Sequence, residues 1–150
     1  SGADKVAINS MALDNPNFLN EAVSNFGEST ILVNIEAKKI SENKWEPYKF
    51  CGREKTNLNV NDWINEIQNK GCGEILLTSI DNEGTETGFD IELLESVEKL
   101  IKKPLIVSGG CGSLVHIEKL KKSFQNESIA IASVLHYKTL KISEIKKILA

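Results

Sequence analysis

The feature that most constrains the fold is an alternation that recurs five times along the chain. A short apolar run breaks off in polar or glycine residues and is followed by a stretch with helical spacing. The clearest instance is Pro-Leu-Ile-Val-Ser-Gly-Gly-Cys-Gly at 104–112, which leads into a helix-like run at 115–124. A buried strand that ends in glycines before a helix is how α/β proteins present bare backbone N–H groups to a phosphate. Glycine-rich strand-to-helix turns also arise for tight packing alone, so both readings of this stretch stay open.

The remaining units follow the same pattern. Residues 6–8 are apolar and end at Asn9 and Ser10, and Asp14-Asn-Pro16 predicts a helix start with a capping side chain just before a proline. That helix carries Phe18, Leu19, Ala22, Val23 and Phe26 and stops at Gly27. Residues 30–37 are nearly continuously apolar, the pattern of a strand covered on both faces, as in parallel sheets. A smaller strand excursion at 44–50 precedes a polar loop at 52–57. Asn61 and Asp62 predict the cap of a helix carrying Trp63, Ile64 and Ile67 and ended by Gly71. A third main strand, 74–80, leads into a turn at 81–85. Residues 91–101 place Leu93, Leu94, Val97, Leu100 and Ile101 on one stripe. A fifth strand at 129–135 and a helix at 142–149 complete the series.

Right-handed βα units build either a doubly wound open sheet or a (β/α)8 barrel. The polar residues favour the barrel, because they cluster at the C-terminal strand ends: Asn9 and Ser10, Glu36, Thr78, Ser79 and Asp81, Ser108 to Gly110, and Ser133. In a barrel those ends ring one pocket, and the last two strands commonly supply a phosphate grip. Five units cannot close eight strands. The expectation is therefore a partial (β/α)8 TIM barrel over 1–150, with open strand edges that pair with missing units or self-associate.

Composition narrows the function classes. With 18 basic and 21 acidic residues and a net charge of −3, no polyanion-coating surface is expected and nucleic acid is not an expected partner. No apolar run approaches the ~20 residues of a membrane span, and the N-terminus lacks a basic-then-apolar signal. Neither membrane association nor targeting is expected. Cys51, Cys72 and Cys111 are odd in number and lack CxxC spacing, which indicates neither a disulfide framework nor a zinc site. No metal or other cofactor is expected, and a reducing cytoplasm fits best.

The motifs in order resemble the cyclase subunit family of imidazole glycerol phosphate synthase, a (β/α)8 barrel of histidine biosynthesis. Gly-Ala-Asp-Lys-Val-Ala-Ile-Asn-Ser (2–10) looks like that family's fourth strand, and Gly-Cys-Gly-Glu-Ile-Leu-Leu-Thr-Ser-Ile-Asp (71–81) like its sixth. Ser-Gly-Gly-Cys-Gly (108–112) resembles the seventh and Ala-Ser-Val-Leu-His (132–136) the eighth. The resemblance covers strands 4 to 8, the C-terminal portion of the barrel, with the N-terminal βα units absent. It implies a lyase that takes ammonia from a glutaminase partner. The substrate would be a bisphosphorylated ribulosyl aminoimidazole carboxamide, converted to imidazole glycerol phosphate and an aminoimidazole carboxamide ribotide.

By that resemblance Glu36 stands where the family has its second catalytic aspartate; the strand bearing the first precedes Ser1. Asn9 and Ser10 match residues that help bind one phosphate. The other phosphate falls to Gly84, Ser108, Gly109, Gly110, Gly112 and Ser133. Thr78, Ser79, Asp81 and Glu83 match the pocket lining, and Thr56 a threonine of the mobile loop. At the opposite end, Lys5 and Glu74 match half of a charged ring at the ammonia entrance, and Asp4 an acidic residue that contacts the glutaminase. Plainer roles stand beside these: Glu36 as a solvated charge, Asp81 as a turn stabiliser, Lys5 and Glu74 as stabilising charges at strand starts, and His116 and His136 as structural or surface residues. Three positions depart from the family pattern, with glutamate for aspartate at 36 and 83 and asparagine for glycine at 57. Moving a proton-transferring oxygen by about an ångström can cost roughly 10²-fold in rate. The 150-residue chain alone is expected to be inactive. The alternatives are a self-associating half-barrel that at most binds phosphate, or a cyclase-like paralogue of surface-sugar amidation.

Overall fold

A computed structural model describes residues 2–124 and 128–149. In chain order its elements are β1 (Val6–Ile8), α1 (Ser10–Asp14), α2 (Asn17–Phe26), β2 (Ile31–Ser41), β3 (Lys44–Lys49), β4 (Glu54–Lys55) and α3 (Val60–Asn69). They continue with β5 (Glu74–Ser79), α4 (Ile91–Val97), β6 (Leu105–Ser108), α5 (Leu114–Ser123), β7 (Ser128–Ala130), α6 (Ser133–His136) and α7 (Ile142–Leu149).

The parallel strands follow one another in chain order, β1-β2-β5-β6-β7. The hairpin β3-β4 pairs antiparallel with the outer half of β2, on the same edge that β1 occupies at the inner half. Sequential order is that of a singly wound, barrel-forming sheet; a doubly wound sheet reverses direction partway across.

Side-chain alternation explains which face is covered. Ile31, Val33, Ile35 and Ala37 on β2, Ile75 and Leu77 on β5, and Leu105 and Val107 on β6 are buried in one cluster with Leu19 of α2, Trp63, Ile64 and Ile67 of α3, Leu93 and Val97 of α4, and Ile117 and Leu120 of α5. Each such aliphatic side chain, fully buried, contributes about 1.5–3 kcal/mol. The intervening residues Leu32, Leu76 and Ile106 do not join that cluster. The register places Leu32 beside Glu74, and Leu76 beside Asn34 and Ile106, so these residues share the opposite face. The structure is thus one helix layer on one sheet face, consistent with part of a (β/α) barrel seen from its outside.

Several sequence expectations need adjustment. Residues 30–37 are not a strand covered on both faces: β2 alternates from Asn34 onward and extends to Ser41, because its charged outer half pairs with β3. The strand expected at 129–135 is only β7, and Ser133 instead opens the one-turn helix α6, whose Leu135 and His136 N–H groups both bond to the Ala132 carbonyl. A short apolar run does not distinguish strand from helix by periodicity. The helix expected from Asp14 starts at Asn17 with Pro16 at its N-cap. The cap of α3 is Asn59, whose Oδ1 accepts the Asn61 N–H at 2.8 Å, rather than Asn61 or Asp62. The helix expected over 91–101 ends at Val97, with Leu100 and Ile101 still packed on the core.

Candidate functional site

Parallel register sets the site. Glu36 pairs with Thr78, Thr78 with Ser108, and Ser108 with Ala130. Residues level with one another across parallel strands share a face, so these four form a row at the C-terminal edge of the uncovered face.

Glu36 is held from one side. Its Oε2 accepts Asn9 Nδ2–H at 2.9 Å and the Gly52 N–H at 3.0 Å, while Oε1 makes no hydrogen bond among the described residues. Asn9 is itself anchored, donating also to the Tyr48 carbonyl at 3.1 Å. Its Oδ1 is buried without a partner among the described residues. Gly52 reaches Glu36 through an unusual turn in which Phe50, Cys51 and Gly52 have φ of 52°, 58° and 76°. The left-handed region is costly for a side chain as large as phenylalanine, and such strain persists only where the surroundings enforce it. Here Ser10 Oγ accepts the Phe50 N–H at 2.9 Å, pinning the turn over the strand end. One oxygen of the Glu36 carboxylate is thus fixed by two donors, and the other makes no hydrogen bond among the described residues.

Beside Glu36 a cavity of about 180 Å³ is lined by Glu36, Cys51, Gly52, Thr78, Ile80 and Glu83. A second, of about 130 Å³, lies between the loop at 83–86, the glycine turn at 108–111 and residues 130–133. Glu83 lines both. The second cavity is lined by Ser108 and Ser133, by Gly84, Gly109 and Gly110, and by the start of α6. No Lys or Arg lines it. Anion binding there would rest on N–H groups, hydroxyls and the helix end, against opposing charge from Glu83 and Glu86.

The glycines also serve packing. A Cβ on Gly109 would lie 2.7 Å from the Ser79 carbonyl oxygen, one on Gly110 2.0 Å from that of Gly88, and one on Gly112 2.2 Å from that of Glu86. The Gly88 N–H donates to the Gly110 carbonyl at 2.7 Å. Tight packing and a backbone-lined cavity coexist in one turn.

Other candidates lie elsewhere. Ser79 is buried on the helix side and donates from Oγ to Asp90 Oδ2 at 2.9 Å, while Asp90 Oδ1 caps α4 through the Leu93 N–H. Asp81 accepts the Lys39 N–H at 2.8 Å, and Thr56 Oγ1 donates to the Pro47 carbonyl at 2.6 Å; neither lines the two cavities. Thr78 lies 3.4 Å from Asn34 Oδ1. At the opposite end of the strands Lys5 pairs with Glu74 and Lys103 with Glu28; Asp4 is exposed nearby. Sequence reading missed Gly52, Cys51, Glu86 and Asp90 at or behind the site. Asp90 carried a usable signal, an Asx residue immediately before a helical run.

Burial pushes the Cys111 thiol above its ordinary range, opposed by the Ser113 backbone. Among the described residues no group of three or more His, Cys, Asp or Glu is placed to hold a metal ion, and no helix is long and apolar enough to cross a membrane.

A family model described as histidine biosynthesis protein matches residues 1–141. The subunit HisF of imidazole glycerol phosphate synthase from Streptococcus gordonii is 43% identical over 148 residues, covering 98% of this chain and 58% of the relative. The same subunit from Dictyoglomus thermophilum is 43% identical over 149 residues (99% and 59%), and that from Bacillus cereus strain Q1 40% identical over 147 residues (98% and 58%). The chain thus spans a little under three-fifths of the length of these relatives. With a family match over nearly its whole length, the chain belongs to the histidine biosynthesis protein family.

Proposed function

We propose that the chain is the C-terminal portion of a cyclase barrel, supplying strands 4 to 8 of a HisF-type subunit of imidazole glycerol phosphate synthase. The observation that carries this reading is the row Glu36, Thr78, Ser108, Ala130 at one strand edge, flanked by a backbone-lined cavity. In the complete barrel Glu36 acts as one of two acid–base carboxylates, its free Oε1 toward the reacting ring, and an aspartate of the missing units acts as the other. The cavity holding Ser108, Gly109, Gly110 and Ser133 grips one phosphate of the bisphosphorylated substrate; Asn9 and Ser10 lie toward the second. Ammonia from a glutaminase partner enters from the end of the strands marked by Lys5 and Glu74, with Asp4 at the partner's contact. This biosynthetic role belongs in the cytoplasm.

The test is reconstitution. The chain is mixed with, or fused to, the N-terminal βα units of a relative, and ammonia-dependent consumption of the bisphosphate substrate is followed. Turnover is expected only in the assembled form. E36Q is expected to lower it by about 10²-fold or more, the range of a lost proton-transfer group, with a much smaller change in KM. Full activity in assembled E36Q would sink the catalytic assignment.

A second reading is favoured by the half-buried apolar residues Leu76 and Ile106, which lie on the sheet face away from the helix layer. On that reading the chain pairs with another copy of itself and at most binds phosphate.

A further inference from the structure

His116 lines neither cavity, yet it is bonded to the turn that forms the wall of one. It is the third residue of α5, and its Nδ1 accepts the Gly112 N–H at 3.1 Å. A side chain at this helical position that reaches back to a backbone N–H ahead of the helix does what the glutamate of a capping box does. The N-cap residue itself, Ser113, makes no side-chain capping bond. Because Nδ1 accepts, the ring is in the tautomer protonated at Nε2.

The ring has a second neighbour. A Cβ on Gly88 would lie 3.6 Å from His116 Cδ2, so the imidazole faces the side of Gly88 where a side chain would project. Gly88 in turn donates to the Gly110 carbonyl, and Gly112 and Gly110 leave no room for a side chain against Glu86 and Gly88. His116 is therefore bonded to the glycine turn through Gly112 and faces Gly88 on the opposing backbone, while Gly110 and Cys111 of the same turn line the cavity.

We infer that His116 is the positioning residue of the anion grip. Its Nδ1 fixes Gly112 and its ring fixes Gly88, and together these hold the 109–112 turn in the shape that lines the cavity. This rests on the phosphate reading of that cavity proposed above. No contact between His116 and the anion is required.

The experiment uses sulfate, whose charge is constant across neutral pH, titrated into the chain while the amide signals of Gly110 and Ser133 are followed by NMR. The wild-type chain is expected to bind saturably. H116L, which lacks an acceptor, is expected to bind about tenfold more weakly. H116N places its Oδ1 where Nδ1 stood and is expected to stay within about threefold of wild type. H116Q carries its acceptor farther out and should follow H116L. Hydrogen exchange at the Gly112 amide should be slow in the wild type and H116N and fast in the other two. Sulfate affinity unchanged in H116L, or H116N as weak as H116L, would overturn the inference while leaving the anion site standing. Absence of sulfate binding by the wild type would instead remove the anion site and this inference with it. If H116L does not fold, the comparison of H116N with H116Q decides.

Discussion

Cys72 shows at the scale of one residue how burial becomes a measurable property. It lies fully buried between α3 and β5, and burial pushes its thiol from an ordinary 9.0 up to about 11, against a downward pull from the Lys103 ammonium. The folded state therefore keeps the proton after the unfolded chain has begun to lose it. Stability is whole below pH 9 and declines as pH rises from about 9 to about 11, because deprotonation favours the unfolded state. Urea titrations at stepped pH should show this decline. In C72S, destabilised overall, that part of the slope should be missing; an unchanged slope would show that lysines alone produce it. Exposed Cys51 should react with a thiol reagent before Cys72 or Cys111. At this scale the sequence was legible where a residue announced itself by contrast. Glu36 stands out as a charge closing an apolar run. The Gly52 N–H that holds it does not, because nothing local forecasts left-handed Phe50 and Cys51. His116 was read from the sequence as structural or surface, but its partner was not legible, since that partner is a backbone N–H and not another chemically distinctive side chain. Asn57 is the reverse case: asparagine tolerates the left-handed region better than most residues, and it adopts φ of 60° where the resembled family has glycine.

The elements were legible in proportion to their length. α2, α3, α5 and α7 span eight to ten residues, enough for helical spacing to emerge, and their positions followed from it. α1 and α6, of five and four residues, are too short to show a period, so the latter was absorbed into a strand. That error bears on the site. In place of a continuous strand the chain offers Ser133 at the start of a short helix after the last strand, the arrangement in which barrels commonly bind phosphate. β5 allows the two faces to be weighed directly. Leu77 sits in the helix-side cluster and is 1% exposed, whereas adjacent Leu76 points to the other face and is half-buried. L77A should cost about 2–5 kcal/mol, as large-to-small changes in packed cores do. L76A should cost less than about 1.5 kcal/mol, because little close packing is lost. Equal costs in urea unfolding would show that the second face is packed in solution.

That difference is a property of the whole molecule, since it arises from what the sheet lacks. Ala7, Leu32, Leu76 and Ile106 line a face that in a closed barrel meets the opposite strands, and among the described residues β7 has a partner strand on one edge only. Apolar surface and unpaired strand groups favour association, and a net charge of −3 opposes it only weakly. The chain alone is therefore expected to sediment as a dimer or larger species at micromolar concentration. The double substitution L76K/I106E places charges on the open face and leaves the helix-side core intact. It should shift the chain toward monomer while circular dichroism retains its helix signal. Supplying the N-terminal βα units of a relative should compete with self-association, because both cover the same surface, and the same substitutions should abolish that assembly too. A wild-type chain that sediments as monomer at all accessible concentrations would show that the open face is covered from within. If the charged variant remained as associated as wild type, the contact would have to lie on the strand edges or the helix layer. In that case a partner built to complete the barrel would bind alongside the self-contact instead of displacing it, and sedimentation of the mixture would read this directly as a complex larger than either component pair.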